Sequence, residues 1–307
     1  LNYHGFSVVV IDNNSVDDSV KEILLWLKDS SFNFNEERGV LFVDDVTEPD
    51  SFVSHIDNKE LMVVCSDKNK GFAAACNIGM KIAIKCSCEK IWLLNNDTVV
   101  EKNSLAELDK KIEESADIGV CGSVLVYYPE MSKVQAVGGV KYKYWCAKGN
   151  QIGDGVLLGS MGAVRWADEE ISYVSGASML VKRAYIQDVG LMEEKYFLYY
   201  EELDWAYRSR RRWRNAVAIN SVIYHKVGAS IGTKERSKMS QYYMIRGLIM
   251  FYRSNLPHLC FVAVMRSIYE TLVLVIRKKW FLCMVSIMAI VDGMSGRCGD
   301  VSKYRSL

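Results

Sequence analysis

Short apolar runs that each stop on Asn, Asp or Ser constrain the first half of this chain more than any other feature. "FSVVVIDNNS" (Phe6–Ser15), "LMVVCS" (Leu61–Ser66) and "KIWLLNND" (Lys90–Asp97) are rich in β-branched residues and apolar at successive positions. Strands buried on both faces have this pattern, whereas half-exposed strands alternate. "VLFVDD" (Val40–Asp45) and "IGVCGSVLVYY" (Ile118–Tyr128) are further candidate strands. Between them lie helix-patterned stretches. Ser15–Asp29 has Asp17 and Asp18 in its opening turn and Val20, Ile23, Leu24 and Leu27 at helical spacing. Gly71–Cys86 reads as a helix by composition, and Ser104–Ala116 reads as an amphipathic helix with Ser104 as cap and Glu107 in the capping-box position. The polar, acidic residues 46–60 read as a loop or insertion. Alternating strands and helices predict an α/β layer structure, with a mostly parallel central sheet flanked by helices. Ligands of such sheets bind at the carboxyl ends of the strands. The polar endings Asp12-Asn13-Asn14-Ser15, Lys70-Gly71 and Asn95-Asn96-Asp97 should therefore gather on one edge.

Taken singly, the polar endings are weak signals. In "LLNNDT" a buried strand ends in Asn95-x-Asp97, offering a carbonyl and a carboxylate. These are hard oxygen ligands suited to Mg²⁺ or Mn²⁺ on a diphosphate, but Asn and Asp are also common turn formers. "NKGFAAACNIG" has Gly71 for a tight backbone turn, small residues that permit close approach, and Asn69 and Asn77 able to bond the turn. It lacks the endings of a Walker loop and of a dinucleotide-binding glycine motif.

"FLYYEELDWAYRSRRR", from Phe197, runs an aromatic segment into Glu201, Glu202 and Asp204 and then into arginines. Acids at a helix N-terminus, stabilised by its free N–H groups, are the structural explanation. A catalytic base near a bound cation is the functional one.

In order, "VVVIDNNSVDDS", "NKGFAAACNIG", "WLLNNDTVV", "VSGASMLVKR", "GLMEEKYFLYYEELDWAYR" and "YHKVGAS" resemble the family 2 inverting glycosyltransferases, and their rhamnosyltransferase-like branch most, over roughly Val8 to Ser230. The resemblance implies a GT-A fold, a nucleotide-sugar donor and a divalent metal, Mg²⁺ or Mn²⁺. On these motifs it places Asp12, Asn13, Asp17, Asn69 and Gly71 around the nucleotide, with Asn96 and Arg208 beside the donor. Asn95, Asp97 and His225 fall at the metal, Asn95 standing where the family has the first Asp of its D-x-D. Ser175, Gly176 and Ala177 form the small-residue turn beside the sugar and acceptor. Glu202 takes the position of the base, one methylene longer than the family's usual Asp, with Glu201 and Asp204 as its rivals. Trp205 is a candidate lining residue of the acceptor site; Tyr196, Phe197, Tyr199 and Tyr200 read as core and pocket wall. The implied reaction moves rhamnose or another hexose from a dTDP- or UDP-sugar to a saccharide or lipid-linked acceptor in cell-surface polysaccharide synthesis. The rival class is a catalytically degenerate nucleotide-sugar-binding protein. The family's pattern also begins with another strand and helix. Only Leu1–Gly5 precede the first strand here, so a natural product longer by on the order of 30 residues is expected.

Charge separates the chain into two parts. It carries 38 basic and 37 acidic residues, yet from Lys234 onward there are 12 basic and 4 acidic ones. We expect a GT-A catalytic domain over 1–233 and an apolar, basic helical extension over 234–307. The extension holds two apolar runs broken by Arg277-Lys278-Lys279. The second, Trp280–Val291, is short of the about 20 residues that span a bilayer. Peripheral contact with the inner face of the membrane, or a homodimer interface, is expected of it, and the location is cytoplasmic. No nucleic-acid module is visible. The nine scattered cysteines read as reduced core thiols.

Overall fold

A computed structural model describes residues 1–29, 40–43, 61–163, 166–226 and 237–300. The acidic stretch 46–60, the last four residues of "YHKVGAS" and residues 301–307 lie outside them. The N-terminal part is a three-stranded parallel sheet. β1 (Val8–Asp12) leads to α1 (Ser19–Asp29), then β2 (Val40–Val43), β3 (Leu61–Ser66) and α2 (Phe72–Lys85), with strand order β1-β3-β2. The central β3 is buried at every position. α1 lays Val20, Ile23, Leu24 and Leu27 against Leu61, Val63 and Cys65. α2 lays Ile78 and Ile82 against Met62 and Val64. Each face of the sheet thus has its own helix, which is why the strand reads apolar at consecutive positions.

The chain continues as β4 (Lys90–Leu94), β5 (Thr98–Val100), α3 (Ser104–Ile112), β6 (Ile118–Tyr127), β7 (Val134–Val137), β8 (Gly139–Lys143) and β9 (Lys148–Gln151). β10 (Tyr173–Val174), β11 (Ser178–Lys182), α4 (Arg183–Val189), α5 (Glu201–Ser209) and β12 (Arg214–His225) follow. A second sheet has order β4-β11-β6-β12-β5, with β7 paired to β6, and β10-β8-β9 form a small third one. The expected parallel pairing holds in the first sheet and between β6 and β12. β11 inserts between β4 and β6 and runs antiparallel to both, so this half of the architecture is mixed.

Two local expectations are corrected. α1 begins at Ser19, so Asp17 and Asp18 precede it, and Asp17 Oδ1 accepts the Ser19 amide at 3.0 Å as a cap does. At α3 the capping position is Asn103 rather than Ser104. Ser104 is buried and donates its hydroxyl to the Val222 carbonyl at 2.8 Å, a tertiary bond to β12 that local sequence cannot show.

After β12 come α6 (Lys238–Asn255), α7 (Cys260–Ile276) and α8 (Trp280–Ser295). α6 is built into the body. Tyr242, Tyr243, Phe251 and Tyr252 share one core with Tyr196, Phe197, Leu203 and Tyr207, so the core runs on across the boundary drawn at residue 233. Arg246 donates to the Tyr196 carbonyl at 2.8 Å, and Asn255 donates to Asp204 at 2.7 Å.

Candidate active site

The loops after β1 and β3 are tied to each other. Asn13 Nδ2 donates to Asn69 Oδ1 at 3.1 Å and to the Gly71 carbonyl at 3.0 Å, while Asn69 Oδ1 also accepts the Gly71 amide at 3.0 Å. Asp12 Oδ2 accepts the Ser15 amide, closing its own turn. Gly71 has φ +93°, and a Cβ there would lie 2.2 Å from the Phe197 carbonyl oxygen. That carbonyl accepts the Phe72 amide at 2.9 Å. The loops after β1 and β3 therefore rest on the backbone just ahead of the three acids, and only glycine allows so close an approach. Asn77 does not bond this turn. It is buried, donates to the Met192 carbonyl at 2.9 Å and to Glu194 at 2.8 Å, and so fixes the segment leading to the acids.

Phe197, Tyr199 and Tyr200 all have positive φ, at 71°, 67° and 74°. Three non-glycine residues so placed store strain that the packed aromatic core must hold. They deliver the chain to α5 with Glu201, Glu202 and Asp204 in its first turn, so the helix-terminus explanation and the functional one apply to the same residues.

Their surroundings set the three acids apart. Asp204 is fully buried and saturated: Tyr196 donates to it at 2.9 Å, Asn255 at 2.7 Å and Arg208 Nε at 2.9 Å. Glu201 is 2% exposed and its Oε2 has no hydrogen-bond partner. Desolvation by burial, with the Glu202 charge second, holds its pKa well above the ordinary value. Glu202 keeps part of its surface open. Burial raises its pKa too, against hydrogen bonds from its own amide and that of Gly176. A Cβ on Gly176 would lie 2.4 Å from Glu202 Oε1, so the glycine makes room for the carboxylate. Tyr173 faces it as well: burial raises the Tyr173 pKa, and the Glu202 charge adds to that. Of the three acids, only Glu202 combines access with a basicity above that of a free carboxylate.

Glu201 carries a stability prediction. Above its ordinary pKa of 4.5 the unfolded chain loses this proton while the folded chain keeps it. Stability contributed by the proton is full below that value and is lost as pH rises toward the raised folded pKa, by about 1.4 kcal/mol per pH unit. Glu201→Gln keeps the shape without the ionisation, so its stability should fall less steeply with pH. Urea denaturation of both proteins from acid to neutral pH reads the two slopes; equal slopes would refute the assignment.

β4 and β11 bring the next element alongside. Ser178 pairs with Leu94, and the Asn95 amide donates to the Ala177 carbonyl at 3.1 Å. The Asn95–Asp97 turn and Glu202 thus flank the same Gly176–Ala177 segment. Ser175, at its head, donates its amide to the Gly138 carbonyl at 3.2 Å, and Asn96 is exposed. His225 ends β12 opposite Thr98, and the Lys226 amide donates to the Asp97 carbonyl. His225 Nδ1 lies 2.9 Å from Gln135 Oε1. Its Nε2 lies 3.3 Å from Asp97 Oδ1. Asp97 Oδ1 is itself buried with no hydrogen-bond partner. A carboxylate oxygen and an imidazole nitrogen side by side are a donor pair that fits Mg²⁺ or Mn²⁺. Among the described residues no three His, Cys, Asp or Glu converge on one point, so an ion here would take its other ligands from water and substrate oxygens, as Mg²⁺ usually does. Gln135 escaped the sequence reading because a lone Gln in a strand carries no local signal.

The arginines and Trp205 are occupied elsewhere. Arg208 Nη1 and Nη2 donate to the Val189 and Leu191 carbonyls, each at 2.7 Å, beside its Asp204 contact. Arg210 stacks on Tyr207, Arg212 pairs with Asp188, and Arg214 pairs with Asp117. Trp205, the proposed lining residue, is instead 2% exposed and donates to the Gly190 carbonyl, which makes it core.

With this geometry in hand, known proteins supply a comparison. The family model described as "Glycosyl transferase family 2" matches residues 32–190. The chain is 21% identical over 263 residues to the dTDP-rhamnosyl transferase RfbF of Shigella flexneri, covering 79% of this chain and 81% of that protein. It is 21% identical over 163 residues to the low-salt glycan biosynthesis hexosyltransferase Agl10 of Haloferax volcanii, spanning about half of each (50% and 47%). Among solved structures, the mannosyltransferase PcManGT from Pyrobaculum calidifontis, in complex with GDP-Man and Mn²⁺, superposes with a TM-score of 0.50 at 12% identity. The match covers 94% of this chain and 66% of that one. At that identity the likeness bears on fold alone, and the fold is of the GT-A type.

Proposed function

The chain belongs to glycosyl transferase family 2, and we propose that it is a metal-dependent inverting enzyme with Glu202 as its base. The donor we infer is a nucleotide-diphosphate sugar, dTDP-rhamnose first and a UDP-hexose second. The rhamnosyl transferase relative matched over most of its length supports this order. The acceptor is a saccharide or lipid-linked saccharide in cell-surface polysaccharide synthesis, met in the cytoplasm at the inner face of the membrane.

One observation carries the assignment: the partly exposed Glu202 lies against Gly176, and the turn that bears Asp97, beside His225, bonds through the Asn95 amide to the neighbouring Ala177. In the reaction, Glu202 accepts the proton of the acceptor hydroxyl as that oxygen bonds to the anomeric carbon. The bond from this carbon to the diphosphate oxygen breaks, its electron pair leaves with the nucleotide, and the configuration inverts. Asp97 and His225, with Asn95 beside them, would hold a Mg²⁺ or Mn²⁺ whose charge stabilises the departing diphosphate. Asn13, Asn69 and Gly71, already locked to one another, would border the nucleotide, with Asp12 and Asp17 shaping the loop around it. Ser175 and Gly176 would face the sugar. Arg208 and Asp204 act as a brace that keeps α5 in register with the Val189–Leu191 turn.

Incubating the protein with Mn²⁺ and a panel of nucleotide sugars tests this. Donor hydrolysis or transfer with dTDP-rhamnose or a UDP-hexose is expected. Donor binding without turnover of any sugar would favour the degenerate-binder reading.

A further inference from the structure

The hairpin of α7 and α8 is built inside out for a water-facing element. On α7 the exposed large side chains are Phe261, Met265, Ile268, Tyr269, Leu272 and Ile276; on α8 they are Trp280, Met284, Ile287, Val291 and Met294. Their spacings of three, four and seven make one stripe on each helix. The inward stripes are small and polar. Ala263, Ser267 and Thr271 of α7 are buried, as are Cys283, Ser286 and Ala289 of α8. Gln241 of α6 donates to Ser286 at 3.0 Å, and Tyr242 donates to Asp292 at 2.6 Å. These polar contacts, with Ala263 and Ala289 in the core and Val264, Val285 and Met288 packed against it, hold the hairpin to the body, while its largest apolar side chains face out. A continuous exposed apolar face of this extent marks an interaction surface.

Charge identifies the occupant. Arg277, Lys278 and Lys279 form the turn between the helices, flanked by Ile276 at 80% exposure and Trp280 at 63%. Between residues 236 and 291 the sequence has one acid, Glu270, and Arg266 lies 3.1 Å from it. An apolar face bordered by clustered cations matches the acyl boundary and phosphate headgroups of an anionic bilayer. We propose that α7 and α8 lie in the plane of an anionic membrane, with their apolar stripes in the acyl boundary and the Arg277–Lys279 turn among the phosphates. The run Pro257–Ile276 is by length and composition able to cross a membrane. Crossing would strip its inner stripe from the body and expose Ser267 and Thr271 to lipid, so the in-plane arrangement keeps the packing intact. This deepens the placement at the inner membrane face but does not depend on the transfer chemistry.

The test is flotation of the full chain with phosphatidylcholine vesicles, with and without phosphatidylglycerol, at low and high salt. Binding should require phosphatidylglycerol and weaken in high salt. The triple variant Arg277→Glu, Lys278→Glu, Lys279→Glu should lose on the order of 100-fold or more in partitioning, at about fivefold per cation near the surface. Ile276→Ser with Trp280→Ser should weaken binding while leaving its salt dependence. Donor hydrolysis without vesicles should be unchanged in both variants, which separates this proposal from the catalytic one. Three results would overturn it: no binding to phosphatidylglycerol vesicles at low salt, vesicle retention of the triple variant in high salt as a spanning helix would show, or a dimer dispersed by Phe261→Glu with Met284→Glu in a protein that ignores vesicles.

Discussion

Glu202→Gln is expected to leave donor binding unchanged and to lower sugar transfer on the order of 10²- to 10⁴-fold, the range of a lost general base. The amide fits the space that Gly176 leaves but cannot take a proton at neutral pH. The other two acids serve as internal comparisons. Glu201 is enclosed and held protonated by burial, so Glu201→Gln should retain most of the transfer. Asp204 is saturated by Tyr196, Asn255 and Arg208, so Asp204→Asn should lose stability before chemistry. Transfer rates and nucleotide titrations on the three variants separate these outcomes. An active Glu202→Gln beside a silent Glu201→Gln would move the base by one position. The pH profile adds a second check. Because burial raises the Glu202 pKa, transfer should fall on acidification at a pH above the ordinary carboxylate range, as the base gains its proton.

Asp97→Ala is expected to remove metal-dependent donor binding while the fold survives. The carboxylate lies on a turn beyond β4, and its Oδ1 has no hydrogen-bond partner to lose. Removal should therefore cost the protein little. Loss of a ligand worth several kcal/mol at a cation site corresponds to at least about 100-fold in Mn²⁺–nucleotide affinity. Calorimetry with Mn²⁺ and nucleotide reads it, and unchanged affinity would remove Asp97 from the metal site. Gln135→Leu provides the positioning control: it frees the His225 ring that Gln135 orients, and a partial loss is expected, about 10- to 100-fold.

Much of this was legible in the sequence because it rests on local patterning. Consecutive apolar residues with polar endings specify the strands β1, β3 and β4; β3 is buried throughout, whereas β1 is only partly buried and β4 buries alternate residues. Helical spacing in α1 and α3 specifies the faces they bury. The order of the motifs, loose one by one, specifies the family. What local patterning cannot contain is the choice among equivalent residues. Glu201, Glu202 and Asp204 are three acids in one helical turn. Tertiary packing alone gives Asp204 an arginine, a tyrosine and an asparagine, encloses Glu201 with its Oε2 unbonded, and leaves Glu202 partly exposed beside a glycine 26 positions earlier. The same holds for His225, whose ring is positioned by a glutamine on β7, and for Ser104 and Asn77, whose side chains answer to strands and turns far away in sequence. Composition showed that the last quarter of the chain is apolar and basic. Only the folded helices show that α7 and α8 turn their largest apolar residues outward, because helix spacing fixes which residues share a stripe but not which stripe meets the body.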